Sequence, residues 1–308
     1  MNKLRRNAAL VCASLMLFAV PAALPAIQSV TETSAAPVTV GDITLTPGPE
    51  VLGSSGNLRA LIGMPASLAE SLALQPLLVR VPLDEPGVHS LGLTAPDQEP
   101  LVVVSMESLG VIKGARLDDY RVGRWPTRGL AARDSRYAPP AGFIAVTPEN
   151  ESTQVSKRFR LSDFLTHDQQ NVWPKVLVLG APLLDKLELV GNELQRRGLP
   201  DMLHVMSGFR TPQYNAQGVG RKGGRAAESR HMYGDAADVI VDANGDGVMD
   251  DLDGDGRATI RDARVLYAVA EAVEKEHPEL VGGLSAYRAS SSHGPFVHID
   301  ARGVRARW

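Results

Sequence analysis

Three side chains in the C-terminal half have the types and spacing of a metal site. His231 and Asp238 lie seven residues apart in Ser-Arg-His-Met-Tyr-Gly-Asp-Ala-Ala-Asp, with Gly234 between them to let the chain turn, and His298 follows sixty residues after Asp238 in Phe-Val-His-Ile-Asp. Two imidazole nitrogens and one carboxylate oxygen suit zinc and leave one coordination position for water. If residues 295–300 form a strand, Phe296, His298 and Asp300 share one face while Val297 and Ile299 point into the core. The same alternation over residues 235–241 puts Ala236, Asp238 and Ile240 on one face, with small neighbours that leave room for an ion. A lone histidine in an apolar run is usually a satisfied core residue. Two strands that each present a ligand argue against that here.

His231, Gly234, Ala236 and Asp238 also fit a His-x-x-Gly-x-Ala-x-Asp pattern. Ser207-Gly208-Phe209-Arg210-Thr211-Pro212 with Tyr214-Asn215 precedes it, and Gly282-Gly283, Tyr287, Phe296-Val297-His298-Ile299-Asp300, Arg302-Gly303 and Arg307-Trp308 follow. In these motifs, taken in order, the chain resembles the zinc D-Ala-D-Ala carboxypeptidases and murein endopeptidases, which share their metal site with hedgehog signalling domains. The resemblance covers roughly residues 160–308. It implies that His231, Asp238 and His298 bind zinc, and that Arg210, with Ser229 as a second contact, binds substrate. A guanidinium fork beside a metal would orient a peptide and stabilise charge on a tetrahedral intermediate.

One departure from the family pattern bears on mechanism. Many relatives carry an acid three residues before the last histidine ligand, or a histidine two before it, as general base; here those positions are Pro295 and Phe296. The base must come from elsewhere. Asp300, on the strand face of His298, is the first candidate, and His293 in Ser-Ser-Ser-His-Gly-Pro is the second. Asp300 has an alternative role, to hold the His298 ring in its ligating tautomer.

A second cation motif lies between the metal segments. Asp242-Ala-Asn244-Gly-Asp246-Gly247 follows a calcium-loop pattern whose twelfth position is Asp253. A second register starts at Asp251, with Asp253, Asp255, Gly256 and Asp262 at positions three, five, six and twelve. The registers overlap, so residues 242–262 hold one cation or two close ones. Calcium is expected over a solvated acidic loop, because glycine falls at the sharp-turn positions and so many carboxylates repel without a counter-ion. Gly218-Val-Gly220-Arg-Lys-Gly223-Gly224-Arg225 has no Gly-Lys-Ser/Thr ending, which excludes a phosphate loop. It reads either as a mobile basic loop beside the site, able to meet acidic stem peptides, or equally as a plain solvated loop.

The first residues read as a signal peptide over residues 1–26: Lys3, Arg5 and Arg6, an apolar run from Ala8 to Val20, then a small-residue cleavage region. Export to the periplasm or cell envelope, or secretion, follows. Cys12, the chain's one cysteine, would leave with the signal, so no disulfide framework exists. The 32 basic and 35 acidic residues give a net charge of -3. Without the signal the balance is 29 to 35, or -6, which makes nucleic acid an unsuitable partner. No other run is apolar and long enough to cross a membrane.

The elements that must position the site come next. Residues 27–40 read as a linker. Residues 41–150, with β-type runs at Leu77-Leu78-Val79-Arg80-Val81, Leu101-Val102-Val103-Val104 and Phe143-Ile144-Ala145-Val146 and a helix near 67–74, imply a small β-rich domain of unknown role. Aromatic residues among its prolines, Tyr120, Trp125 and Tyr137, suit packing better than a binding surface. Residues 151–308 open with a helix whose face is Leu183, Leu184, Leu187, Val190 and Leu194, stopped by Gly198. A second helix runs from about 262 to 276, with Leu266, Val269 and Val273 inward. Helices flanking a small antiparallel sheet that carries both metal strands make this an α+β domain, with the calcium-loop insert at 242–262. The resulting expectation is an exported zinc metallopeptidase that cuts peptide bonds in peptidoglycan, as endopeptidase or D,D-carboxypeptidase. A non-catalytic metal-dependent wall-binding module and a calcium-dependent adhesion or assembly protein are the alternatives.

Overall fold

A five-stranded sheet positions the candidate site. In the computed structural model, residues 38–40, 43–45, 60–63, 86–90, 102–221 and 224–308 are described. The expected signal peptide with Cys12, most of the linker, the helix near 67–74 and the run at 77–81 lie outside them.

The N-terminal described part is strand-rich. It contains β1 (Val38–Val40), β2 (Ile43–Leu45), β3 (Ala60–Gly63), β4 (Gly87–Ser90), β5 (Val102–Ser105), β6 (Glu107–Ser108), β7 (Arg116–Leu117), β8 (Tyr120–Arg121) and β9 (Gly142–Val146). β1 falls within the expected linker and pairs with β2. β9 pairs antiparallel with β10 (Lys175–Leu177), across the boundary expected near residue 150. Tyr120 and Trp125 are buried, so these aromatics do pack the interior. Ala35–Trp308 forms one compact unit, and a single apolar core runs through it from Val102 to Ile299.

The C-terminal part follows in the order α1 (Ala181–Arg196), β11 (Leu203–Ser207), α2 (Pro212–Gln217), β12 (Ala236–Val241), α3 (Ile260–Glu276), β13 (Gly283–Tyr287), β14 (Phe296–Asp300) and β15 (Ala306–Arg307). α1 forms as its periodicity requires. Pro182 sits in its first turn, its five apolar positions are fully buried, and Gly198 beyond its end has φ +71. α3 starts two residues earlier than the apolar pattern suggests, because Thr259 caps it and Asp262 returns the bond to the Thr259 backbone. The sheet order is β11-β12-β14-β13-β15, antiparallel except for the β13–β15 pair. The architecture is a mixed α+β one of small sheets and few helices.

Beneath β14 lies a buried ionic joint. Lys186 of α1, with no exposed surface, donates to Glu274 Oε1 of α3 at 2.6 Å and to the Asp300 carbonyl at 2.6 Å. Glu274 also accepts from the Gly282 amide and pairs with Arg307 of β15. Both helices are thus tied to the end of the strand that carries His298. Removing one partner of a buried pair leaves an uncompensated charge, at a cost of about 3–5 kcal/mol. Lys186→Ala is therefore expected to lower unfolding free energy by about that amount in urea titrations, and a loss below about 1 kcal/mol, the range of an exposed pair, would refute the joint's role.

Candidate metal centre

Adjacent strands deliver two of the donors. Asp238 of β12 and His298 of β14 are directly opposed in the ladder, flanked by the pairs Ala237–Ile299 and Val239–Val297 on the other face. Val297 and Ile299 are buried as the alternation requires, but Asp300 is fully buried as well. The third donor comes from a single 3-10 turn, Arg230–Tyr233, that ends at Gly234. Gly234 is in the left-handed region at φ +73, and a Cβ there would lie 2.4 Å from the Val178 carbonyl oxygen, so only glycine fits. The segment after β11 locks this turn from both directions. The Arg210 amide donates to the His231 carbonyl at 3.0 Å, and the His231 ring bonds the Gly208 carbonyl at 2.7 Å. Trp125 holds the next residue, its indole donating to the Met232 carbonyl at 2.6 Å.

These bonds fix the tautomers. A carbonyl only accepts, so His231 Nδ1 carries the proton and Nε2 faces Asp238 and His298 with a lone pair. His298 presents Nδ1 to the same point, while its Nε2–H donates to Asp300 Oδ2 at 3.1 Å. The three inward atoms form a triangle: 3.3 Å from His231 Nε2 to His298 Nδ1, 3.3 Å from His231 Nε2 to Asp238 Oδ1, and 2.9 Å from His298 Nδ1 to Asp238 Oδ1. Ligands about 2.0–2.1 Å from a tetrahedral zinc are about 3.3 Å apart. The donor set therefore fits that ion in both chemistry and size.

Asp300 stands behind the ring, away from the triangle. Besides His298 it accepts from the Gly283 amide at 2.7 Å and from Arg302 Nε at 2.9 Å. A Cβ on Gly283 would come within 2.2 Å of its Oδ2, so the glycine makes the space it occupies. Asp300 does not line the cleft in front of the triangle, whereas His293, Arg210 and Ser229 do. Of the two roles expected for Asp300, base or holder of the His298 tautomer, its bond to His298 Nε2 behind the imidazole suits the second. Arg210 is also engaged, with Nη2 on Asp238 Oδ2 at 2.6 Å and Nε on Ser207 Oγ at 2.9 Å. His293 Nδ1 bonds the Gly294 carbonyl at 2.7 Å, and no partner of its Nε2 is found among the described residues.

The cleft, of about 1180 Å³, also holds residues that the sequence reading did not single out, among them His167, Glu228 and Arg230. Arg230 is buried between the rings of Tyr137 and Tyr233 and paired with Asp235. Nothing in the short irregular context of His167 distinguishes it in sequence. Tyr287 and Phe296, opposed in the β13–β14 ladder, stack at 4.6 Å on the opposite wall.

Burial holds His231 below its usual pKa of 6.5 against the pull of Asp238, leaving a neutral ring at pH 7. Burial opposes charge on His298 too, but the bonds to Asp238 and Asp300 outweigh it and raise its pKa. Asp238 lies well below the carboxylate range in spite of burial, because both imidazoles face it.

In the acidic insert, Asp251, Asp253 and Asp255 bring carboxylate oxygens within 4.8 Å of one another. Asp242 instead accepts from the amides of Gly245, Asp246 and Gly247, and Asn244 and Asp246 bond each other. Asp262 accepts from the Leu252, Asp253 and Thr259 amides as the cap of α3.

The family model described as Peptidoglycan L,D-endopeptidase MepK matches residues 149–248. By this match the stretch is similar to peptidoglycan endopeptidases. The match spans 100 of the 308 residues, includes His231 and Asp238 of the candidate centre, and stops before His298, which the sheet supplies. No curated protein and no solved structure matches the chain significantly. Among the described residues, no helix is long and apolar enough to cross a membrane.

Metal affinity should depend on pH in a defined direction. Without metal, the raised His298 pKa contributes stability that is full below 6.5 and lost as pH rises through the folded value. Zinc needs the Nδ1 lone pair and reverses that dependence. Its affinity, read by competition with a chromophoric chelator, should weaken about tenfold per unit below the His298 pKa and level off above it; a flat profile across about pH 5–8, where histidine titrates, would contradict this ligand set.

Proposed function

We propose that the protein is an exported zinc endopeptidase that hydrolyses peptide bonds in peptidoglycan stem peptides or cross-links. The observation that carries this reading is the triangle of His231, Asp238 and His298 donors, sized for a tetrahedral ion, at a cleft lined in part by the stretch that matches the peptidoglycan-endopeptidase family. The L,D-endopeptidase description of the matched family favours an endopeptidase over a D,D-carboxypeptidase. The cleft exceeds the usual small-molecule range of about 300–1,000 Å³, which suits a branched peptide. Signal-like residues 1–26 support action in the periplasm or cell envelope.

When bound, zinc would polarise the scissile carbonyl and lower the pKa of its water. The chain's own groups do the rest. Gly208 and Asp300 hold the two imidazoles in the tautomers that face the ion, and Arg210 braces Asp238. Asp300, with both oxygens occupied behind His298, is a positioning group. His293 is the proton acceptor, since it lines the cleft with its Nδ1 held on the Gly294 carbonyl. The Asp251, Asp253 and Asp255 cluster is the point at which the insert would take calcium for stability, not for chemistry.

The two roles separate by mutation. His293→Ala should keep one zinc per chain and lower turnover on cross-linked muropeptides by about a hundredfold or more, whereas Asp300→Asn should weaken zinc by about 10–100-fold. Full turnover in His293→Ala would reject it as the base. A zinc-loaded wild type that cleaves no muropeptide would reject the enzyme reading in favour of a wall-binding module. Millimolar calcium should raise the melting temperature by mass action, and an unchanged melt would remove calcium from the account.

A further inference from the structure

Four arginines line the cleft, and three are already matched. Arg210 pairs with Asp238, Arg230 with Asp235 and Arg302 with Asp300. Arg225 has no carboxylate within ion-pair distance among the described residues. It is nevertheless held in place. Its guanidinium lies 4.2 Å over the Tyr214 ring, and Nη1 donates to the Tyr214 carbonyl at 2.5 Å. Its Cδ, Nε and Cζ lie against Gly218, where a Cβ would stand 2.4, 2.6 and 2.9 Å from them. Its backbone is fixed too, with its amide on the Gly218 carbonyl at 3.0 Å and its carbonyl accepting from Gly220 at 3.2 Å.

These contacts use one guanidinium nitrogen and the ring face. No hydrogen-bond or ion-pair partner of Nε or Nη2 is found among the described residues, and that edge of a guanidinium takes a carboxylate through two parallel bonds. Arg225 lines the same cleft as Arg210, His231, Asp238 and His298. An ordered cation without a counter-charge, at the wall of a cleft built for peptide, calls for an anion from the substrate. Arg210, the expected carboxylate binder, has its own carboxylate in Asp238.

We propose that Arg225 binds a carboxylate of the peptide substrate on its Nε–Nη2 edge and sets preference for acidic stem peptides; this rests on the peptidase reading of the cleft. The carboxylate is either the free α-carboxylate of a peptide end or a side-chain carboxylate. The test uses the zinc-loaded full-length protein as wild type, Arg225→Met, Arg225→Lys and Tyr214→Leu, with an acidic muropeptide and versions amidated at one or the other carboxylate. Two quantities are read: KM and kcat for hydrolysis, and Kd from the anisotropy of labelled peptide within the first turnover.

Arg225→Met should raise KM and Kd for the acidic peptide by about tenfold or more, the scale of hydrogen bonds to a charged group. Its kcat should stay within about twofold of wild type, as for loss of uniform binding. Arg225→Lys should recover part of the loss, and Tyr214→Leu should fall between. One amidated peptide should bind wild type as weakly as the acidic peptide binds Arg225→Met, which identifies the carboxylate. Unchanged affinity in Arg225→Met, or an equal loss for acidic and amidated peptides with an unchanged melting curve, would overturn the proposal. Tight, Arg225-dependent binding without cleavage would reject the peptidase reading and leave this one standing; cleavage indifferent to Arg225 would do the reverse.

Discussion

The antiparallel register that sets Asp238 opposite His298 is the constraint on which the metal centre depends. Neither residue fixes it. The register is held from the opposite face, where Val239, Val297 and Ile299 are fully buried, each contributing about 1.5–3 kcal/mol for its apolar side chain. A slip of β14 by one residue would turn Val297 and Ile299 toward the cleft and His298 into the core, so the hydrophobic pattern excludes it. The third ligand is added by a device of a different kind. The His231 turn is tied to residues 208–210 by two reciprocal bonds and closed by a glycine that no other residue could replace. A sheet and a turn thus meet with three donor atoms about 3 Å apart.

Such a centre places carboxylates where water does not reach, and charge balance decides the surrounding composition. Asp238, Asp300 and Glu274 are all buried, and each has its own cation: Arg210, Arg302, and the pair Lys186 and Arg307. An unmatched buried charge costs several kcal/mol, so these pairs are conditions for folding more than gains in stability. They also work as a chain of supports. Lys186 fixes the Asp300 carbonyl, Gly283 and Arg302 fix its carboxylate, and the carboxylate fixes the His298 ring. The ring orientation at the cleft is therefore set by contacts that extend to α1 and α3.

Much of this was legible in the sequence because it rests on local rules. Alternation placed His298 and Asp238 on strand faces, the apolar repeat marked α1, and Gly234 marked the turn. What escaped was what depends on distance between chain segments. Asp300 and His298 share a face, and alternation alone does not show that the carboxylate lies behind the imidazole instead of before it; the collision volume of Gly282 and Gly283 does. The motif around Arg210 suggested a substrate contact, but its partner, Asp238, lies 28 residues away. His167 comes to the cleft from an irregular segment with no period to read, and Arg225 was legible only as one residue of a basic loop. The N-terminal aromatics announced packing, and nothing in their spacing said that Trp125 would brace the turn of His231.

The acidic insert shows how a long connection between two site elements avoids loosening them. It joins β12 to α3, and both ends are anchored by the chain itself. Met249 and Leu252 are buried in the common core, and Met249 sulfur accepts from the Val241 amide at 3.5 Å. At the far end Asp262 satisfies three amides at once while capping α3. Between these anchors, Asp242 and Asp251 organise their own turns by accepting from the amides three, four and five residues on. Arg261 neutralises part of the remaining charge by pairing with Asp253 and Asp255. Because the anchors are apolar contacts and backbone bonds, the geometry of β12 at Asp238 does not wait on a cation in the loop. Occupancy of the insert would act on the stability of the connection, while the position of the ligands remains the work of the sheet.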